Sequence, residues 1–202
     1  MPGKQQEKSR QTKQELMQAA FSLFEQKGFY STSISEITGQ AGYAKGNFYR
    51  HWASKNDLFL DIMAARLKHY RSKRDPELQK AGDIEEVAEI IISFLENMID
   101  DKTWYKVFLE FTVHSFDDDR IKKALNDSRY RLSSSLFARL FSPFVADYAS
   151  TQKLGAQVTA LFEGFLIHQA LESNVLSKED LRKAILTLAR SYLPEMDKTG
   201  GR

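Results

Sequence analysis

Apolar residues recur at spacings of three and four along nearly the whole chain, and this periodicity constrains the fold more than any other feature. It begins with Leu16, Met17, Ala20, Phe21, Leu23 and Phe24. The pattern returns near 84–100, 102–115, 118–142, 150–173 and 178–192, each long enough for an amphipathic helix. Alternation with period two is absent, as are Asn-Gly and Asp-Gly hairpin turns and any repeat of fixed length. The expected architecture is therefore all-α, with about nine helices.

The first quarter is punctuated differently. Gly28 stops the first helix. Ser33 with Glu36 three residues later is a capping-box pair, and Ile34, Ile37 and Ala41 follow on one face. "AGYA" (41–44) forces a turn near Gly39 or Gln40, and a third short helix runs from Lys45 to His51. Ser54 with Asp57 caps a long helix that carries Leu58, Ile62 and Leu67 inward, and Pro76 is expected to end it. Two short helices joined by a Gly-containing turn and buttressed by longer ones make a helix-turn-helix, whose second helix can enter the major groove of DNA. That arrangement explains a segment, "AGYAKGNFYRHWASK" (41–55), in which core-type aromatics alternate with cations. Phe48 and Trp52 are expected to pack inward. Lys45, Asn47, Tyr49, Arg50 and His51 are left to face phosphates or base edges, and Gly46 to let backbone approach backbone.

Charge agrees. Residues 1–74 carry 13 Lys and Arg against 6 Asp and Glu, a net of +7, whereas the rest carries 16 against 21, a net of −5. Such asymmetry is the footprint of a polyanion partner. With 42% hydrophobic and 28% charged residues the composition is globular. The chain has no cysteine, which removes disulfides, thiolate nucleophiles and Cys-type metal sites and fits a reducing compartment. A polar start without an apolar signal core, and no apolar run of membrane-spanning length, predict a cytoplasmic location with no membrane partner.

In residues 28–58 the sequence resembles the TetR family of bacterial transcriptional repressors. Gly28, Phe29, Thr32, Ile34, Ile37, Ala41, Gly42, Lys45, Gly46, Tyr49, His51, Lys55 and Leu58 stand in family order, with an aromatic at Trp52. The resemblance implies phosphate contacts from Thr32, Tyr49, His51 and Lys55 and groove reading by Ala44, Lys45, Gly46 and Asn47, to which Arg50 is a plausible addition. Tyr43 departs from the usual small aliphatic, and Ala44 from the usual hydroxyl cap, whose loss forgoes about 1 kcal/mol. The resemblance divides the chain into a DNA-binding domain with connecting helix (1–74) and an effector-binding and dimerisation domain (75–202). "LFEGFLIHQAL" (161–171) looks like the family's dimerisation helix, which nominates Leu161, Gly164, Phe165, His168 and Leu171, with Leu188 from "LRKAILTLARSYL" (181–193). Of the large rings Trp104, Tyr105, Phe108, Phe111, Phe116, Tyr130, Phe137 and Phe141, the residues Trp104, Phe108 and Phe111, with His114, are nominated as an effector lining, though rings at helical spacing are more often core. The implied function is a ligand-responsive repressor. It would bind a palindromic double-stranded operator as a homodimer and be released by an apolar or aromatic small molecule, with Leu58–Tyr70 as the lever.

Two other classes fit less well. An enzyme lacks support, since there is no P-loop, G-x-S-x-G, H-E-x-x-H or G-x-G-x-x-G. Glu110 and His114 have a metal-capable spacing, but paired Glu-x-x-His motifs are missing. "DDD" (117–119) suits a helix start, and His69 and His168 fall in no ligand spacing, so neither catalytic residue, cofactor nor metal is expected. A lipid-binding bundle would need a long apolar face, which Gly39, Gly42 and Gly46 interrupt.

Overall fold

A computed structural model of the chain describes residues 3–127, 139–143 and 147–192, without the side chains of Tyr70, Arg71 and Lys73. The helices with defined ends are α1 (Lys4–Lys27), α2 (Ile34–Gln40), α3 (Lys45–Tyr49), α4 (Lys55–Leu78), α5 (Ile84–Asp100), α6 (Lys102–His114), α7 (Asp119–Leu125), α8 (Tyr148–Ala170) and α9 (Lys178–Ser191). Among the described residues there is no strand. The expected 118–142 helix is seen as α7 and again at 139–141; Tyr130 and Phe137 lie outside the described residues. Pro76 does not end its helix. It sits inside α4, two residues before the end; its fixed φ is helical, and the lost N–H and the crowding of the carbonyl four residues back fall on the last turn, after which the helix stops.

The chain forms two compact units. The first comprises Met1–Lys68 and Lys106–Lys122, the second His69–Tyr105 and Lys123–Arg202. The first unit thus takes up a stretch that a division after residue 74 assigns to the second domain. Its core collects Leu16, Phe24, Phe29, Ile37, Phe48, Leu58, Phe59, Met63 and Phe111, all essentially inaccessible. Phe59 and Phe111 stack with centroids 4.2 Å apart, and Phe29 meets both edge-on at 5.5 and 5.2 Å. Such contacts add about 0.5–1.5 kcal/mol each to plain burial.

In the second unit α5 buries Ile84, Val87, Ala88, Ile91, Ile92, Leu95, Met98 and Ile99, a stripe at helical period. Its start is fixed by Asp83, whose carboxylate accepts from the Glu86 N–H at 2.8 Å. α9 packs on α5 and α8, and its cations meet α5 carboxylates along the seam. Arg182 reaches Glu89 and, at 3.0 Å, Glu96, while Arg190 reaches Glu85 at 2.8 Å. α8 ends with Glu172 at φ +55°. The Glu172 N–H bonds the Gln169 carbonyl and the Ser173 N–H the His168 carbonyl, a Schellman closure that usually uses glycine. No helix of the described residues is long and apolar enough to cross a membrane.

Candidate nucleic-acid interface

The helix-turn-helix is built by local sequence chemistry. The Ser33 side chain accepts from the Glu36 N–H while the Glu36 carboxylate accepts from the Ser33 N–H, a complete capping box at the start of α2. Lys27 joins the same carboxylate. These partners hold the Glu36 pKa down to about 2, first through Lys27 and then Ser33. Helix α2 closes at Gly42, φ +74°. The Tyr43 N–H returns to the Thr38 carbonyl at 2.8 Å and the Gly42 N–H to the Gly39 carbonyl at 3.1 Å, so the turn needs a residue tolerant of left-handed backbone.

α3 follows immediately. Ala44 occupies its N-cap without a side-chain hydrogen bond, as expected of a missing hydroxyl. Phe48 is fully buried and its ring lies 5.4 Å from Trp52, while the Trp52 ring N–H donates to Asp61 at 2.8 Å. With those two inward, Ala44, Lys45, Gly46, Tyr49 and Arg50 are exposed and Asn47 and His51 half-buried. A Cβ built on Gly46 would meet no atom within 4 Å. Nothing inside the chain therefore requires glycine there, which costs helix stability. The Tyr43 hydroxyl donates to Glu15 on α1, so this residue ties the recognition-helix turn to α1. The His51 pKa is lowered, mostly by partial burial and then by Lys13 and Arg50.

Two expected phosphate contacts are placed elsewhere. Thr32 is 1% exposed and its hydroxyl donates to the Gly28 carbonyl at 2.8 Å, so burial takes it away from any ligand. The Lys55 ammonium donates to the carbonyls of Phe29 at 2.6 Å, Tyr30 at 3.3 Å and Thr32 at 2.7 Å. All three of its donors are used, and burial lowers its pKa. From the other side Glu110 of α6 accepts the N–H groups of Phe29 at 2.9 Å and Tyr30 at 2.8 Å. A Cβ on Gly28, at φ +85°, would come within 2.9 Å of that carboxylate. Lys55 and Glu110 thus fix the 28–32 turn, a role that sequence reasoning missed for both.

The expected effector lining divides. Phe108, Phe111 and His114 lie in the first unit and Trp104 in the second, with Phe111 within the ring cluster and His114 against Tyr30, its Nδ1 3.0 Å from the Tyr30 hydroxyl. The Phe111 ring packs in the core and the His114 ring against the turn. Trp104 and Phe108 are buried, Trp104 with its N–H on the Asp101 carboxylate at 3.1 Å. Among the described residues no group of three or more His, Asp or Glu is placed to hold a metal ion.

In the second unit Leu161, Gly164, Phe165, His168 and Leu188 line one groove of about 650 Å³ between α8 and α9, with Gln157, Ala160, Leu176, Leu181 and Ala184. Leu171 is outside the lining but 75% exposed, next to exposed Ile167 and Val175. A Cβ on Gly164 would meet no atom within 4 Å.

Residues 16–62 match the family model for bacterial regulatory proteins of the tetR family, and residues 83–194 match that for the C-terminal region of BetI-type transcriptional repressors. The chain is 39% identical over 62 residues to the HTH-type transcriptional regulator AcrR of Shigella flexneri, a match spanning 31% of this chain and 29% of that regulator. It is 23% identical over 176 residues to the HTH-type transcriptional regulator BetI of Vibrio atlanticus, spanning 86% and 87%. Among solved structures, the regulator FadR of Bacillus subtilis in complex with stearoyl-CoA superposes with a TM-score of 0.69 at 13% identity, covering 90% of this chain and 99% of that one.

Proposed function

Since the chain belongs to the TetR family of bacterial regulatory proteins, we propose that it is a homodimeric cytoplasmic repressor that a small apolar effector releases from a palindromic operator. One observation carries the reading: a glycine with no internal purpose stands on the exposed face of a helix whose other face is locked into the core by Phe48. Tyr49, Arg50 and His51 supply phosphate contacts beside it and Lys45 and Asn47 the base-edge contacts, whereas Thr32 and Lys55 support the turn behind. A single module offers few such contacts, and pairing through the α8–α9 groove doubles them and sets two recognition helices about 34–36 Å apart or further.

Release needs a route from effector to DNA. α6 runs from the second unit into the first, and its Glu110 holds two amides of the turn that precedes α2. An effector that prefers a shifted α6 moves the same turn, and operator affinity falls by the coupling energy, typically about 1–3 kcal/mol. The stearoyl-CoA carried by the FadR relative supports a ligand with a long apolar part. The test is selection of random duplex DNA by the ligand-free protein at two salt concentrations. Enrichment of a palindrome with salt-weakened binding supports the reading, and loss of that binding on adding an apolar acyl ligand supports the effector class. No enriched site from delipidated protein overturns it.

A further inference from the structure

The first two turns of α1 present a puzzle that the helix-turn-helix does not solve. Residues 4–11 are helical yet every one is exposed, and burial on α1 begins only at Thr12. A helical extension with no apolar face receives no packing stabilisation. Its composition is Lys4, Lys8 and Arg10 against the single acid Glu7. Gln5, Lys8, Ser9 and Thr12, spaced as one helical face, line a cleft of about 400 Å³ with Tyr43, Asn47, Arg50 and His51. No carboxylate is in the lining. The floor is anchored, because the Tyr43 hydroxyl donates to Glu15 and the Thr12 hydroxyl lies 3.5 Å from it, and Thr12 is bonded back to the Lys8 carbonyl at 3.0 Å. Lys13 is engaged elsewhere, with Asp61 at 2.7 Å, which leaves Lys8 and Arg50 as the cations that face the cleft.

We propose that this cleft is a phosphate-binding subsite for the DNA backbone, in which Lys8 and Ser9 of α1 close on a phosphodiester from the side opposite Arg50 and His51. The inference rests on the DNA-binding reading above and extends it to residues outside the helix-turn-helix. Hydroxyl, amide and cationic donors suit a phosphate oxygen. The sequence signal was present in the polar i, i+3, i+4 stripe, but only the fold shows what that stripe faces. Because phosphate contacts carry no sequence information, the subsite adds affinity without altering the preferred site.

The experiment compares full-length wild type, Lys8→Ala and the charge-matched control Lys102→Ala on α6. Alanine is favourable in an exposed helix, so Lys8→Ala folds, and thermal melting verifies this. Binding to the selected operator and to a random duplex is followed against salt. The expected result for Lys8→Ala is a salt slope reduced by about 0.9 per bound chain and affinity down about eightfold per chain near 0.1 M salt, equally for both duplexes. Lys102→Ala should match wild type. An unchanged slope for Lys8→Ala, with wild type binding normally, overturns the subsite and leaves the DNA-binding reading intact. Failure of wild type to bind DNA overturns both. Saturable shifts of the His51 ring resonances by inorganic phosphate alone, undisplaced by duplex, overturn the assignment to the DNA backbone.

Discussion

Gly46→Ala should move stability and DNA affinity in opposite directions. The added methyl meets no protein atom within 4 Å, so it brings no clash and removes the entropy that glycine loses on entering a helix, about 0.5–1 kcal/mol. For a chain of this size that raises the melting temperature by about 1–4 °C. At the operator the same methyl enters a contact built for a bare backbone. Overfilling a packed contact costs about 1–3 kcal/mol, which corresponds to roughly 5- to 150-fold in dissociation constant. Circular-dichroism melting of the free protein and fluorescence anisotropy with labelled operator read the two effects separately. The salt slope should not change, because no charge is touched. A variant that melts higher and binds as tightly as wild type would refute the reasoning, since α3 would then not press its backbone against DNA at this position.

Three further outcomes follow from particular contacts. Lys55→Ala strips three carbonyls of a charged donor and should destabilise the fold by about 2–3 kcal/mol while leaving the salt slope of DNA binding unchanged; a reduced slope would restore Lys55 to the phosphate-contacting set. Glu172→Gly removes the strain of a non-glycine residue at φ +55° and should stabilise by about 0.5–1 kcal/mol in a denaturant titration, whereas a lower midpoint would mean that the side chain holds the α8–α9 loop. His51 has a lowered pKa in the free protein because of partial burial and the neighbouring cations Lys13 and Arg50. A phosphate beside it raises that pKa on binding, so binding takes up protons and operator affinity should rise as pH falls from 8 towards 6. A His51→Gln variant with the same pH dependence would exclude this ring as the source.

The helix-turn-helix was legible because each of its decisions is local. Ser33 and Glu36 lie three residues apart, the Schellman turn at Gly42 uses neighbours in sequence, and the burial of Phe48 and Trp52 follows from a helix with one wet face. The long helices were legible for the same reason, through periodicity. Periodicity states that a residue is buried without stating against what. Phe108, Phe111 and His114 continue along α6 the stripe that Trp104 begins, yet the fold divides this helix after Tyr105 and gives all three to the first unit. A stripe that looks like one lining in the sequence therefore belongs to two bodies.

The 28–32 turn shows why recognising a residue does not reveal its work. It lies between helices, so its backbone groups have no ladder to join, and buried peptide groups must find partners. Glu110 takes the amides of Phe29 and Tyr30, and Lys55 takes the carbonyls of Phe29, Tyr30 and Thr32. One acceptor-only and one donor-only side chain thus satisfy the two kinds of backbone group in a single stretch of chain. Lys55 stands where its neighbours suggest a phosphate ligand, and Glu110 where its spacing to His114 suggests a metal; neither sequence context contains the turn, which is 23 to 81 residues away. If this pairing sets the position of α2 and α3, Glu110→Gln should be the milder lesion. The neutral amide keeps one acceptor oxygen for two N–H groups and brings donors of its own against them, so the turn loosens while the ring cluster that packs around Phe111 remains. Operator affinity should then fall with little loss of thermal stability, and the response to effector should weaken with it; a variant that melts early but regulates normally would assign Glu110 to stability alone.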